Sequence, residues 1–156
     1  MLKVRGMEIP IKHGASSAGI IDLPRANLNC VRAGITMYGM YPSEEVQRDK
    51  VPLKPALGLK SFVTYVKELG PGEEISYGGT YVTERTMRIA TVAVGYGDGY
   101  PQSLSNCGYV LICGKRARIL GRVCMDQLMV DVTDIMEAAV DTPVNLIGKD
   151  GDEEIT

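Results

Sequence analysis

The 156 residues of this chain suffice for one domain of ordinary size, and 45% are hydrophobic, so a packed core is expected. The formal net charge of −2 argues against the basic face that proteins binding nucleic-acid phosphates usually carry. No apolar run reaches the ~18 residues that a membrane-spanning helix needs. Lys3, Arg5 and Glu8 interrupt any apolar start of a signal peptide. We therefore expect a cytoplasmic protein that binds neither nucleic acid nor membranes.

The four cysteines, Cys30, Cys107, Cys113 and Cys124, form no Cys-x-x-Cys pair, and the single histidine, His13, is distant from most of them in sequence. Zinc sites need a denser set of such ligands, so no metal is expected. Reduced and mostly buried thiols are the interpretation that suits a cytosolic protein.

The first fifty residues have the mixed texture of α/β proteins. A short apolar start at residues 9–11 precedes a run of small residues at 13–19, and a strand-like piece follows at residues 30–35. The polar segment 43–50 is typical of a surface connection. These residues are too few to close a core of their own, so this segment and the rest indicate a piece of a larger protein.

From residue 51 the pattern is mainly β, because short stretches rich in β-branched and aromatic residues alternate with glycine-containing turns. A glycine-first hairpin turn is predicted at Gly114-Lys115, and only residues 134–140 indicate a short helix. Several closely spaced strands predict a small barrel or sandwich. The predicted strands are residues 59–66, 87–94, 109–113, 116–120, 125–132 and 144–147, with further turns at 70–72 and 149–152.

Three stretches in this β-rich part could bear chemistry. Tyr77 precedes two glycines, which let a ligand approach the backbone, although most such tyrosines only pack. The loop of residues 95–101 (GYGDGYP) projects two tyrosines and an aspartate, and either a plain turn or a ligand-facing loop fits it equally. Cys124 lacks a visible base, so a buried thiol beside Met125 is favoured over a nucleophile.

Weaker signals lie in the first segment. Ser16 and Ser17 could present hydroxyls to a phosphate at a helix start, although serine pairs are more often caps or turns. Arg32, next to Gly34, could meet an anion, although most such arginines form surface ion pairs. His13 alone would most often be structural.

Taken together and in order, six stretches resemble the alanine racemase family. Each is weak alone, but six in the family's order are specific, and they cover essentially the whole chain. The stretches are residues 13–18 (HGASSA), 32–39 (RAGITMYG), 54–59 (KPALGL), 76–81 (SYGGTY), 95–101 (GYGDGYP) and 121–127 (GRVCMDQ).

The resemblance implies a two-domain enzyme that uses pyridoxal 5′-phosphate (PLP) to interconvert L-alanine and D-alanine for cell-wall peptidoglycan precursors. Residues 1–50 would be the terminal strands of the PLP-binding β/α barrel. Residues 51–156 would be most of the C-terminal β domain. The expected fold is therefore mainly β, with a small barrel-like domain preceded by a stub of the β/α barrel.

For catalysis, the resemblance assigns Tyr77 as one of two proton carriers, which face each other across the substrate's α-carbon; the other is the cofactor lysine. Met125 resembles the residue whose backbone N–H meets the substrate carboxylate, and Tyr96 resembles an aromatic residue of the substrate entryway.

For cofactor binding, the resemblance implies that the Ser17 hydroxyl and the N–H groups of Gly34 and Ile35 meet the PLP phosphate. Arg32 would face the pyridine nitrogen and, always charged, keep it unprotonated. His13 would orient Arg32.

In the family each active site is shared, so the resemblance implies a homodimer with an isologous interface. The cofactor residues would serve their own subunit. Tyr77, Tyr96 and Met125 would reach into the site of the partner subunit.

Three departures from the family pattern matter. None of the eight lysines lies in a segment like Val-Lys-Ala-Asn-Ala-Tyr-Gly, so we expect this chain alone neither to hold PLP covalently nor to racemise alanine. Ser16 stands where asparagine is usual, which alters hydrogen bonding near the phosphate. Gln102 stands where many members have arginine, which removes a charge from the entryway.

Two alternatives stay open. A serine racemase of the same family, associated with vancomycin resistance, shares these motifs. A non-catalytic β domain kept for dimerisation is the other, but it would have no chemical need for Tyr77 or Met125.

Overall fold

A computed structural model describes residue 6 and residues 9–156 of the chain, which belong to two compact units, Met1–Leu57 and Gly58–Thr156. We call them the first unit and the barrel unit. The described part of the first unit contains one α-helix, α1 (Ser17–Asp22), and short 3₁₀ helices. The latter are Pro24–Ala26, Ile35–Tyr38 and Arg48–Lys50.

Side chains hold much of the first unit in place of strand pairing. The Asn29 amide accepts a bond from the Lys12 N–H and donates one to the Pro10 carbonyl, each 2.7 Å long. Neither the apolar start at residues 9–11 nor the strand-like piece at residues 30–35 forms a strand, so the expected α/β strands are wrong here. In the described part of this unit, only an isolated parallel bridge joins His13 to Cys30. The Asn29 side chain bonds the backbone groups of Pro10 and Lys12, which are therefore not available to pair with a neighbouring strand.

The barrel unit contains nine strands, and all their pairings are antiparallel. They are β1 (Leu59–Leu69), β2 (Glu74–Ile75), β3 (Tyr81–Val82), β4 (Met87–Val92), β5 (Tyr109–Ile112), β6 (Lys115–Leu120), β7 (Leu128–Asp131), β8 (Pro143–Asp150) and β9 (Glu153–Ile155).

Six of these strands close into a barrel. The sheet order is β1-β4-β7-β6-β5-β8, and β1 also pairs with β8. The long strand β1 closes the ring, because its residues 63–69 pair with β4 and its residues 59–62 pair with β8. The mainly β fold with a barrel-like domain is thus confirmed, and closure leaves the ring without an open edge.

Alternating side chains of the strands fill the barrel interior. In β5, Val110 and Ile112 are fully buried in the core, and in β8 Val144 and Leu146 face the same cluster. Neighbouring side chains along a strand point to opposite faces, so this spacing sends every second residue inward. Fully burying each such side chain contributes about 1.5–3 kcal/mol.

A second, smaller apolar cluster fixes the β2–β3 hairpin. Ile75 of the hairpin packs with Met87 and Ile89 of β4 and with Leu120 of β6. Burial of these side chains anchors the hairpin, and it therefore positions the turn at its tip.

The hairpin turn between β5 and β6 is one residue earlier than predicted. Cys113 and Gly114 form it, with φ values of +52° and +73°, and Lys115 already pairs with Ile112. Positive φ at both central residues is the type I′ geometry, whose twist matches that of the flanking strands. Glycine is thus the second turn residue.

Residues 134–140, expected to be helical, form successive turns instead. The Arg88 guanidinium donates to the carbonyls of Ile135, Met136 and Ala138. The backbone bonds of the segment are single turns, from the Ile135 N–H to the Val132 carbonyl and from the Ala138 N–H to the Ile135 carbonyl, each 3.0 Å long. Arg88 of β4 thus ties a chain of turns, not a helix, to the barrel wall.

The expectation of mostly buried thiols is wrong. All four cysteines are free, but only Cys124 is buried; Cys30 is partly exposed, and Cys107 and Cys113 are exposed. Within residues 6 and 9–156, no three His, Cys, Asp or Glu side chains gather as metal ligands would. In that same range, no helix is long and apolar enough to cross a bilayer.

Candidate functional site

The first candidate group lies on the turn that joins β2 to β3, residues 76–80, which we call the tyrosine turn. Tyr77 begins a 3₁₀ helix there, and 73% of its surface is exposed. Gly78 and Gly79 both adopt positive φ, +73° and +53°, which reverses the chain behind the tyrosine. A Cβ on Gly79 would lie 2.5 Å from the Glu74 carboxylate, so the acid packs directly on the turn. The phenol is left free to meet another molecule.

The glycine loop, residues 95–101, is a compact turn braced from within. The Asp98 carboxylate accepts the Gly95 N–H at 3.0 Å, and the Tyr100 N–H bonds the Gly95 carbonyl at 3.1 Å. Tyr96 is 47% exposed, but Tyr100 is buried in the core, where desolvation raises its phenol pKa. The expectation that both tyrosines project is therefore wrong for Tyr100, whose ring anchors the loop.

The loop between β6 and β7, residues 121–127, joins these two features. Its Cys124 carbonyl accepts the Tyr96 N–H at 2.9 Å, and its Met125 carbonyl accepts the Gly97 N–H at 2.7 Å. Its Arg122 carbonyl accepts the Ser76 hydroxyl at 2.7 Å. The segments bearing Tyr77 and Tyr96, far apart in sequence, thus both contact the loop that bears Met125.

The Met125 backbone N–H is available to a ligand. Within the part of the chain that the structure describes, no hydrogen bond uses it, and the residue is 64% exposed. An exposed phenol, a free amide donor and an exposed aromatic ring therefore occupy neighbouring segments. Such a set suits proton transfer to a small substrate that presents an anionic group to the amide.

Arg122 was not among the predicted site residues, although it lies in the family-like stretch of residues 121–127. Its guanidinium lies by the tyrosine turn, since a Cβ on Gly78 would be 3.8 Å from the Arg122 Cζ. Among residues 6 and 9–156, no carboxylate lies within ion-pair distance of it. It lines a cavity of about 390 Å³ with Gln102, Ser103 and Ser105. With glutamine at position 102, Arg122 is the only charged residue among the four that line this cavity.

The second candidate group, in the first unit, is a cluster of hydrogen-bonding groups around Ser17. The Ser17 hydroxyl, buried at the first residue of α1, accepts the Gly34 N–H at 3.1 Å and the Thr36 N–H at 3.5 Å. It lies 3.2 Å from the Thr36 hydroxyl. Both amides donate to the Ser17 oxygen itself, so an anion such as a phosphate would have to take these donors over from the serine. Sequence reasoning missed Thr36, whose only signal was a hydroxyl in the 32–39 motif.

The remaining predicted cofactor residues lie on the surface of the first unit. His13, Arg32 and Ile35 are exposed, and the Arg32 N–H bonds the Ala15 carbonyl at 3.0 Å. No hydrogen bond joins the His13 and Arg32 side chains in the described range. The predicted pairing of these two side chains stays a prediction.

Comparison with family models places both parts of the chain. Residues 56–156 match the model described as "Alanine racemase, C-terminal domain". Residues 1–42 match the model described as "Alanine racemase, N-terminal domain".

Curated relatives are similar over nearly the whole chain. An alanine racemase of Halothermothrix orenii is 51% identical over 150 residues, which are 96% of this chain and 39% of that protein. One of Methanococcus maripaludis is 48% identical over 155 residues, 99% of this chain and 41% of the relative. This chain thus spans about two-fifths of the length of the curated relatives it matches.

Solved structures give the same result. An alanine racemase of Clostridium difficile 630, in complex with cycloserine, superposes with a TM-score of 0.89 at 43% identity and covers 95% of this chain and 39% of its own. The enzyme from Bacillus anthracis, with bound L-Ala-P, has a TM-score of 0.88 at 42% identity, over 99% of this chain and 40% of its own.

Proposed function

Because this chain belongs to the alanine racemase family, we propose that it is part of a PLP-dependent racemase that interconverts L-alanine and D-alanine. The observation that carries the proposal is the exposed hydroxyl of Tyr77 on a turn that is hydrogen-bonded to the Met125 loop. A proton carrier must be reachable and must stand on a fixed backbone; Tyr77 is exposed, and its turn is bonded to the neighbouring loop.

In the proposed reaction the Tyr77 hydroxyl moves a proton at one face of the substrate α-carbon. Racemisation requires a second carrier on the opposite face, the lysine that the family supplies from outside this chain's motifs. The free N–H of Met125 would hold the substrate carboxylate, and the Tyr96 ring would narrow the entryway. The uncompensated charge of Arg122 would favour approach of an anionic carboxylate.

We infer that the phosphate of PLP binds at the cluster around Ser17, where it would take over the Gly34 and Thr36 N–H groups that now donate to the Ser17 hydroxyl. We assign the phosphate to Ser17, Gly34 and Ile35, with Thr36 added. Arg32 would face the ring nitrogen, with His13 orienting it. When bound, PLP supplies the electron sink that makes the α-hydrogen of the substrate acidic.

We further propose that residues 1–50 belong to the PLP-binding β/α barrel and residues 51–156 to the C-terminal domain. The active species would be a homodimer in which Tyr77, Tyr96 and Met125 serve the partner subunit's cofactor. Its D-alanine would feed peptidoglycan synthesis.

The experiment joins this chain to the N-terminal barrel segment of the Halothermothrix orenii relative and measures D-alanine formation from L-alanine. Tyr77→Phe keeps the ring but removes the proton, so we expect kcat to fall about 10²–10⁴-fold. Tyr65→Phe is the matched control, since Tyr65 is also an exposed tyrosine but lies on β1.

Three other outcomes would contradict parts of this proposal. Equal activity of Tyr77→Phe and Tyr65→Phe would refute the role of Tyr77. Faster turnover of serine than of alanine would favour the serine racemase. A folded, PLP-loaded chimera that turns over neither amino acid would favour a dimerisation domain.

A further inference from the structure

We propose that Ser76 is a positioning residue that locks the Tyr77 phenol to the loop bearing Met125. The inference rests on the proposed function for its catalytic consequence, but its structural part can be tested independently. Ser76 has φ +65° and ψ −179°, a backbone conformation that is almost confined to glycine. A non-glycine residue persists there only where its surroundings hold it.

The contacts of the Ser76 side chain stabilise this backbone conformation. Its hydroxyl donates to the Arg122 carbonyl at 2.7 Å and lies 3.3 Å from the Cys124 thiol, 46 and 48 residues away. Cys124 is buried, so this end of the contact is shielded from water. A glycine would relax the backbone but lose both contacts, which explains why serine occupies a position that favours glycine.

Gly121 allows the two segments to come close enough for these bonds. A Cβ on Gly121 would lie 2.5 Å from the Ile75 carbonyl oxygen and 2.7 Å from the Ser76 Cβ. Both distances are too short for any side chain, so the two backbones are in direct contact. The Ser76 hydroxyl can then reach the Arg122 carbonyl without spanning a gap.

The same short segment also sets the other two site residues. The Cys124 carbonyl holds the Tyr96 N–H, and Met125 is the next residue along the chain. Ser76 therefore joins the proton-carrying turn to the segment proposed to bind the substrate carboxylate. Its hydroxyl already bonds protein atoms, so it acts on the reaction through Tyr77.

Two variants separate the hydroxyl from the backbone conformation. Ser76→Ala removes the hydroxyl and disfavours positive φ, whereas Ser76→Gly removes the hydroxyl but accepts positive φ. Ser61→Ala is the matched control, because the Ser61 hydroxyl also donates to a backbone carbonyl, that of Ala93 at 2.8 Å, but on β1.

The first measurement uses the chain alone and needs no cofactor. NMR of the Tyr77 ring, assigned with Tyr77→Phe, should show one ordered conformer in the wild type and in Ser61→Ala. In both Ser76 variants the ring signals should shift towards those of a mobile tyrosine. Unchanged Tyr77 signals in a folded Ser76 variant would overturn the proposal.

The second measurement uses the chimeric racemase. We expect kcat to fall about 10–100-fold in Ser76→Ala and less in Ser76→Gly, with KM changing less than about twofold, since a misplaced group affects the reacting geometry more than binding. If Ser76→Ala does not fold, Ser76→Gly decides. Wild-type kcat in a folded Ser76 variant, while Tyr77→Phe is inactive, would overturn only this proposal; an active Tyr77→Phe would overturn the proposed function.

Discussion

The first unit and the barrel unit hold their backbones by different means. In the barrel unit, β1 and β4 to β8 exchange backbone hydrogen bonds around a closed ring whose interior is apolar. In the described part of the first unit, backbone N–H and C=O groups instead form hydrogen bonds with the side chains of Asn29, Ser17 and Tyr41. Only three apolar residues are buried there: Ala15, Ile21 and Val46.

Because the two units are held differently, substitutions should affect them differently. In a closed ring with a shared core, one cavity weakens every strand, because all of them pack on the same cluster. Where single side chains bond single loops, the loss of one hydroxyl releases one loop. Substitutions in the barrel unit should therefore act globally, and those in the first unit locally.

Leu128→Ala should show the largest effect. Leu128 lies on β7 with no exposed surface, so truncation leaves a cavity in the barrel core and should lower the free energy of unfolding by about 2–5 kcal/mol. Urea denaturation followed by circular dichroism measures it. Met136→Ala, at a 73% exposed position, should change stability by less than about 0.5 kcal/mol. A loss of stability in Leu128→Ala as small as that in Met136→Ala would show that the barrel core is not shared by all the strands.

Arg88→Met should have an intermediate effect on the same unit. Methionine keeps the apolar stem but removes the donors to the 135–138 carbonyls, so we expect a loss of about 2 kcal/mol, typical for a charged hydrogen-bond donor. Arg85→Met, at an exposed position before β4, is the control for loss of charge. Equal urea midpoints for the two variants would show that the hydrogen bonds of the Arg88 guanidinium contribute nothing to the stability of the barrel unit.

Tyr41→Phe should have the smallest effect and stay within the first unit. The Tyr41 hydroxyl contacts the carbonyls of Arg48 and Val51, and it accepts the Leu53 N–H at 3.2 Å. Its loss should cost about 1 kcal/mol, seen as roughly fivefold faster hydrogen exchange at the Leu53 amide. Tyr38→Phe, whose ring is 62% exposed, should leave that rate unchanged. If amide hydrogen exchange in Tyr41→Phe were also faster in strands β4 to β8, the effect would not be confined to the first unit.

The barrel strands were largely predictable, because alternating apolar residues report on one buried face irrespective of distant partners. The failures occurred where a side chain replaced a regular partner. Residues 30–35 have strand composition, but Asn29 and Ser17 hold the neighbouring amides. Residues 134–140 have helix composition, but they form single turns, and Arg88 bonds three of their carbonyls. Neither contact leaves a periodic signal in sequence.

The family resemblance assigned roles to Tyr77, Tyr96 and Met125, but it did not indicate what arranges them. The Ser76 hydroxyl reaches a carbonyl 46 residues away, and no spacing rule predicts such a bond. The adjacent glycines predicted a sharp turn. The positive φ at Ser76 and the position of Arg122 became visible only in three dimensions.

The closed ring has a further consequence for behaviour at high concentration. Because β1 pairs with both β4 and β8, the ring itself has no unpaired edge. In the described range, the strands with an unpaired edge are therefore β9 and those of the two-stranded β2–β3 sheet. β9 has three residues and bears Glu153 and Glu154, so a neighbouring molecule would meet a short, charged edge. The barrel unit should therefore resist intermolecular strand addition and the aggregation that follows from it.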